Sequence, residues 1–206
     1  QRNLMLTSAG FAPVYREREL GDPDLRLVKQ AIDLMLRKQE PYPAVVVDRL
    51  WNLVMTNQAA TRLIGWLLGP PEGHDPALAG NRNLYRMMLH PRGLRPMIEN
   101  WREVAADLLH WMQREALDEG PDGEARALLD ELLGYEGMDG VRPAPESATR
   151  TTPFLAIALV RGDVRLQLFT TITTLGTPHD VTLQELRVEC FFPADEATEH
   201  WFRARA

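Results

Sequence analysis

Residues Leu94–Leu117, LRPMIENWREVAADLLHWMQREAL, decide the fold. Leu94, Met97, Ile98, Trp101, Val104, Ala105, Leu108, Trp111 and Met112 recur in steps of three and four, the period of one helical face. Glu99, Asn100, Glu103, Asp107, His110 and Arg114 occupy the other face, which belongs in water. At about 1.5 Å per residue such a helix runs for roughly 36 Å. Pro96 is tolerated only in a first turn, so the regular helix is expected to begin between Pro91 and Leu94. A wide apolar face of that length needs a broad partner surface. The Thr- and Val-rich sequence from Phe154 onward is the candidate of matching size.

Outward from this stretch, the chain reads as helices bracketed by strands. Asp22-Pro23 is a helix start, and Leu25, Val28, Ile32, Met35 and Leu36 form the stripe that Pro41-Tyr42-Pro43 ends. Val45–Val47 and Leu53–Met55 are two short β-rich runs, a hairpin around Asp48–Leu50. Asn57 caps a helix through Ala59, Ala60, Leu63 and Ile64, ending near Gly65. Residues 69–83 are a Gly- and Pro-rich loop, Asn83–Leu89 a short helical piece, Glu124–Leu133 a further helix, and 134–152 an irregular crossing. Then come a strand over Leu155–Val160, a tight turn at Gly162-Asp163, a long strand over Val164–Leu175 and a strand over Thr182–Phe192. In the last of these Glu185, Arg187 and Glu189 alternate with Leu186, Val188, Cys190 and Phe192. Pro193 opens a terminal helix with acids in its first turn. Two strands, several helices and three hairpin-linked strands predict an α+β fold, a five-stranded antiparallel sheet with helices packed on one face. That is a PAS-like architecture, with a cavity expected between sheet and helices.

Composition narrows the function. Apolar residues make up 45% and charged residues 25% of the 206, enough for one full core. With 23 Lys+Arg against 29 Asp+Glu the net charge is −6, and no basic run offers a phosphate-binding surface. One cysteine, Cys190, excludes an internal disulfide and suits a reducing cytoplasm. No apolar run is long enough to span a bilayer as a helix, and no signal peptide is visible. The opening at Gln1 suggests a piece of a longer protein. His74, His90, His110, His179 and His200 form no metal-binding pair on one helix, so no metal is expected. There is no GxSxG, no phosphate loop and no dinucleotide fingerprint, and no enzyme machinery is expected.

Three stretches carry a family likeness: PAVVVDRLWNLVMTNQAATRLIG (43–65), RNLYRMMLHPRGLRPMIENWREVAADLL (82–109) and FTTITTLGTPHDVTLQELRVECFFPADEAT (169–198). In that order they resemble the ligand-binding domain of MmyB-like transcription regulators. RNLMLTSAGFAPVYRER (2–18) resembles the linker that follows the helix-turn-helix domain in that family. The resemblance implies a linker over residues 1–21 and a PAS-like sensor domain over 22–206. It implies cytoplasmic regulation through an XRE-type DNA-binding domain that this chain does not carry, and a small apolar, fatty-acid-like ligand between sheet and helices. No other cofactor is implied. On this reading Met55, Met97, Trp101, Val104, Leu108, Leu168 and Val188 line the cavity, where soft Met side chains adapt to an apolar guest. Asn83 and Arg86, with Arg82, are the candidates for a carboxylate at its mouth. The alternative is a ligand-free module in which the apolar residues of 1–20 and the terminal helix form a homodimer surface.

Overall fold

A computed structural model describes residues 26–69, 80–119, 123–142, 155–174 and 186–206. The expected linker, its boundary at residue 21, and His74 and His179 lie outside them. Helix α1 (Arg26–Gln39) leads into strands β1 (Ala44–Val47) and β2 (Leu53–Thr56). Helices α2 (Gln58–Leu68) and α3 (Leu84–Leu89) follow, then a 3₁₀ turn (Arg95–Met97), α4 (Trp101–Glu119) and α5 (Glu124–Leu133). Strands β3 (Ala156–Arg161), β4 (Val164–Thr174) and β5 (Arg187–Pro193) and helix α6 (Glu196–Arg203) complete the order. The strands form one antiparallel sheet in the order β2-β1-β5-β4-β3. The expected α+β fold and its five-stranded antiparallel sheet are what the chain adopts.

Gly162-Asp163 makes the tight turn between β3 and β4, with Gly162 at φ +57° where a side chain would be strained. The long helix starts later than its periodicity suggests, at Trp101 instead of between Pro91 and Leu94. It spans 19 residues, or about 28 Å. Two features hold it back. The Leu94 N–H donates to the Met87 carbonyl at 2.7 Å, and a Cβ on Gly93 would meet that same oxygen at 2.4 Å. Ile98–Asn100 then runs along the edge of β3. Glu99 N–H donates to the Ala158 carbonyl (2.8 Å). The Asn100 amide accepts from Ala158 N–H and donates to the Ala156 carbonyl, both at 2.9 Å. An otherwise open sheet edge is thereby closed.

Helices cover the sheet on both sides. Val45 and Val47 face the main core with α2–α5, while Ala44 and Val46 face α1 through Ile32 and Leu36. Leu186 and Val188 join the α1 side. The expectation that all helices sit on one face is corrected to this extent: α1 alone takes the opposite face. Its stripe, Ile32 and Leu36 with Val28 and Met35, is the one the sequence shows.

Asn57 ties these layers together. It is the N-cap of α2, accepting from Ala60 N–H at 2.8 Å as expected of a cap. Its Oδ1 also accepts from Ala44 N–H (3.0 Å). Its Nδ2 donates to the carbonyls of Tyr42 (2.8 Å) and Leu36 (3.4 Å). One buried amide thus joins the end of α1, the start of β1 and the start of α2. An ordinary cap is worth about 1 kcal/mol. Asn57→Ala strands several buried backbone groups, so urea unfolding should show a loss of about 2–4 kcal/mol. Asn57→Asp keeps the acceptor but turns a carboxylate oxygen toward the Tyr42 and Leu36 carbonyls, so at neutral pH it should lose a comparable amount.

Candidate ligand-binding site

The main core holds a cavity of about 50 Å³ whose lining is wholly apolar. Its floor is the sheet: Val45 of β1, Ile157 and Leu159 of β3, Leu168 of β4 and Phe191 of β5. Its roof is Ala60, Leu63, Ile64 and Leu67 on α2 with Leu84 and Met88 on α3, and Leu94 and Ile98 close one side. Ile64 and Phe191 are the half-buried members that bring the cavity near the surface. α2 presents this face because Asn57 fixes its first turn and places Ala60, which fills little space, over the sheet.

Of the residues expected to line such a space, Leu168 does. Met55 and Val188 lie on the α1 face of the sheet, so their expected position is corrected. The reason is the buried back of the sheet: an apolar side chain on β2 or β5 finds a core on either side. Val104 and Leu108 are buried in the main core, and Met97 and Trp101 pack against it half-buried, but none of the four lines the cavity. Trp101 instead has the guanidinium groups of Arg95 (4.8 Å) and Arg102 (4.6 Å) over its ring. The roof is therefore α2 and α3, not the tryptophan-bearing helix.

The expected carboxylate anchors are committed elsewhere. Asn83 caps α3 by accepting from Arg86 N–H (3.1 Å), and its Nδ2 donates to the Leu50 carbonyl (2.7 Å) and to Asn52 Oδ1 (3.1 Å). Arg86 makes a two-pronged pair with Glu131, at 2.6 Å for the closest contact. The Glu131 carboxylate also accepts from Tyr135 Oη at 2.6 Å. The hydrogen bond from Arg86 holds the Glu131 carboxyl below its usual range and raises the guanidinium's pKa. Arg82 is exposed. The remaining polar candidates are structural too: His90 lies edge-on to Tyr135 (5.0 Å), and no cluster of His, Cys, Asp or Glu among the described residues could hold a metal ion. Burial raises the thiol pKa of half-buried Cys190, which makes it a poor nucleophile.

Beside the cavity sits a polar group that the sequence reading did not single out. In β5 the alternation holds, but its polar side faces the core: Glu189 is 3% exposed. Its carboxyl is pushed up to about 7 by burial, and Thr170, which hydrogen-bonds it, offsets part of that rise. Val45, directly across from Glu189, and Phe191, two residues along, both line the cavity. Arg187 pairs with Glu115 of α4, and its guanidinium lies 5.7 Å from the Trp51 ring. Trp51 stacks on Tyr85 at 4.8 Å and on Trp111 at 5.9 Å. Trp51 takes φ +66°, which costs a non-glycine residue on the order of 1 kcal/mol. Asp48 holds the turn by accepting from Leu50 and Asn52 N–H, both at 2.9 Å. Two signals were available in the sequence: the small pair Ala59-Ala60 in a helix of large side chains, and the lone acid in the run Val188–Phe192.

A raised carboxyl pKa means that the folded state holds a proton which the unfolded state has released. Stability from Glu189 is therefore full below about pH 4.5 and declines as pH rises through about 7. Glu189→Gln should remove that decline. At pH 8 it should be more stable than the parent by an amount on the order of 2–3 kcal/mol, and near parity at pH 4.5, in denaturant titrations across this range.

The sequence matches the MmyB-like transcription regulator ligand binding domain over residues 28–204. Among solved structures, the PAS domain from Bordetella pertussis BvgS aligns with 85% of this chain and 95% of its own, at 13% identity and a TM-score of 0.32. A comparison with curated proteins gave no match. The match runs from the first turn of α1 to the end of α6 and takes in every strand of the sheet, the apolar cavity and the buried acid beside it; the chain belongs to the family of MmyB-like transcription regulator ligand-binding domains.

Proposed function

We propose that this domain takes up a small apolar molecule of fatty-acid-like size and shape between the sheet and the α2–α3 roof. Occupancy would control DNA binding by a helix-turn-helix domain of the XRE type elsewhere in a cytoplasmic regulator. The observation that carries this reading is the wholly apolar lining of the cavity, which rewards an apolar guest and offers nothing to a charged substrate. Among the described residues no helix is long and apolar enough to cross a membrane.

Size sets the mechanism. A cavity of about 150 Å³ accepts benzene, and this one, about 50 Å³, is far smaller. An acyl chain enters only if α2 and α3 move away from the sheet. The guest would therefore select an expanded state, and its effect on DNA binding equals its preference for that state over the closed one. The aromatic contacts of α2 give the motion an outlet, because Trp66 packs on Trp201 of α6 at 4.9 Å. The homodimer alternative has less support. Phe202 is buried in the domain's own core and Trp201 packs against it, and residues 1–20 lie outside the described structure.

Ala60→Leu places three more carbons in the cavity. Thermal unfolding with an excess of decanoic acid or decanol, at about 100 times Kd, should raise the parent Tm by roughly 5–10 °C. The Ala60→Leu protein should fold and show little shift. Equal shifts in the two proteins, or none in the parent with any chain length from eight to sixteen carbons, would contradict the proposal.

A further inference from the structure

Two buried hydrogen-bonding groups near the cavity have no partner among the described residues. Tyr85 is fully buried and its Oη is unpaired; Trp51 is almost fully buried and its Nε1–H is unpaired. The two rings stack, so the groups belong to one cluster. Leaving a buried donor unpaired costs about 1–3 kcal/mol, and native interiors seldom leave two side by side without reason. Neither ring lines the closed cavity, but Leu84, next to Tyr85, and Met88, one turn further on α3, do. So does Val45, opposite Glu189 on the same sheet face.

We infer that the ligand carries an uncharged oxygen at one end, a ketone, ester or hydroxyl, which Tyr85 and Trp51 receive while its apolar chain fills the expanded cavity. The inference rests on the function proposed above and deepens it. Both unpaired groups can donate, so the complementary atom is an acceptor. Charge decides between acceptors. The titratable groups around the site are Tyr85, Glu189, Arg187 and Glu115, with the Thr170 hydroxyl on Glu189. The guanidinium of Arg187 is already paired with Glu115. A carboxylate head would stand near Glu189 and Glu115 with that cation taken, and like charges in a buried site repel strongly. A neutral oxygen meets the two donors without this cost. It also tolerates the ionised Glu189 carboxyl, which above about pH 7 would repel a carboxylate head.

The test is calorimetric titration at pH 7.5 with four probes of equal chain length: octane, 2-octanone, 1-octanol and octanoate. The ketone and the alcohol should bind at least tenfold more tightly than octanoate. Tyr85→Phe should weaken 2-octanone at least fivefold and leave octane unchanged. Glu189→Gln should strengthen octanoate at least threefold, a readout that survives if Tyr85→Phe does not fold. Octanoate binding as tightly as 2-octanone would overturn the inference. So would a Tyr85→Phe effect equal for ketone and octane, which would mark the hydroxyl as the holder of a structural water. Failure of octane and every other probe to bind, repeated with the same four head groups on chains of up to sixteen carbons, would overturn the proposed function itself and this inference with it.

Discussion

The middle of the sheet is buried on both faces, and most of the molecule follows from that. All four residues of β1 are inaccessible, Ala44 and Val46 beneath α1 and Val45 and Val47 beneath the main helical layer. A strand in that position cannot shift by one residue to relieve a poor contact, because either register puts side chains into a packed layer. Asn57 enforces the register from the side by holding β1 between two helices. With the sheet fixed, the helical layer must fit it. The misfit is concentrated where α2 crosses at Ala60.

The same constraint explains the two features on which function turns. The cavity persists because its walls belong to elements anchored elsewhere: α2 through Asn57 and the Trp66–Trp201 contact, α3 through Asn83 and the β1–β2 turn. Neither helix can collapse onto the floor without breaking those ties. The buried Glu189 persists because β5 lies beside β1 at the centre of the sheet and shares its two covered faces. An acid at an inward position there has no route to solvent, and its proton becomes part of the fold.

The sequence disclosed periodicity well and direction poorly. The strands, the Gly162-Asp163 turn, the cap at Asn57 and the helix through Val104, Leu108 and Met112 were all legible, because each rests on local spacing or turn chemistry. The start of that helix was not. Pro96 is compatible with a first turn, and only the close approach of Gly93 to Met87 shows that the turn belongs to something else. Which face of β5 meets the cavity was equally hidden: Val188 and Glu189 alternate as expected, but polarity marks the inside only when one face is wet. The same ambiguity misplaced Met55. Arg86 and Asn83 looked available as ligand contacts because Glu131 and Leu50 are distant in sequence, and spacing says nothing of such partners. Leu168 lies on the cavity side because its strand is long and its register is pinned by the adjoining turn.

The central claim is that the apolar space between sheet and helices opens to hold a guest. Native mass spectrometry of the protein purified without detergent tests it most directly, before and after incubation with an apolar eight- to sixteen-carbon compound. The account predicts a one-to-one adduct that vanishes on acid denaturation and does not form with the Ala60→Leu protein. A bare polypeptide mass under every condition, with no compound retained, would contradict it.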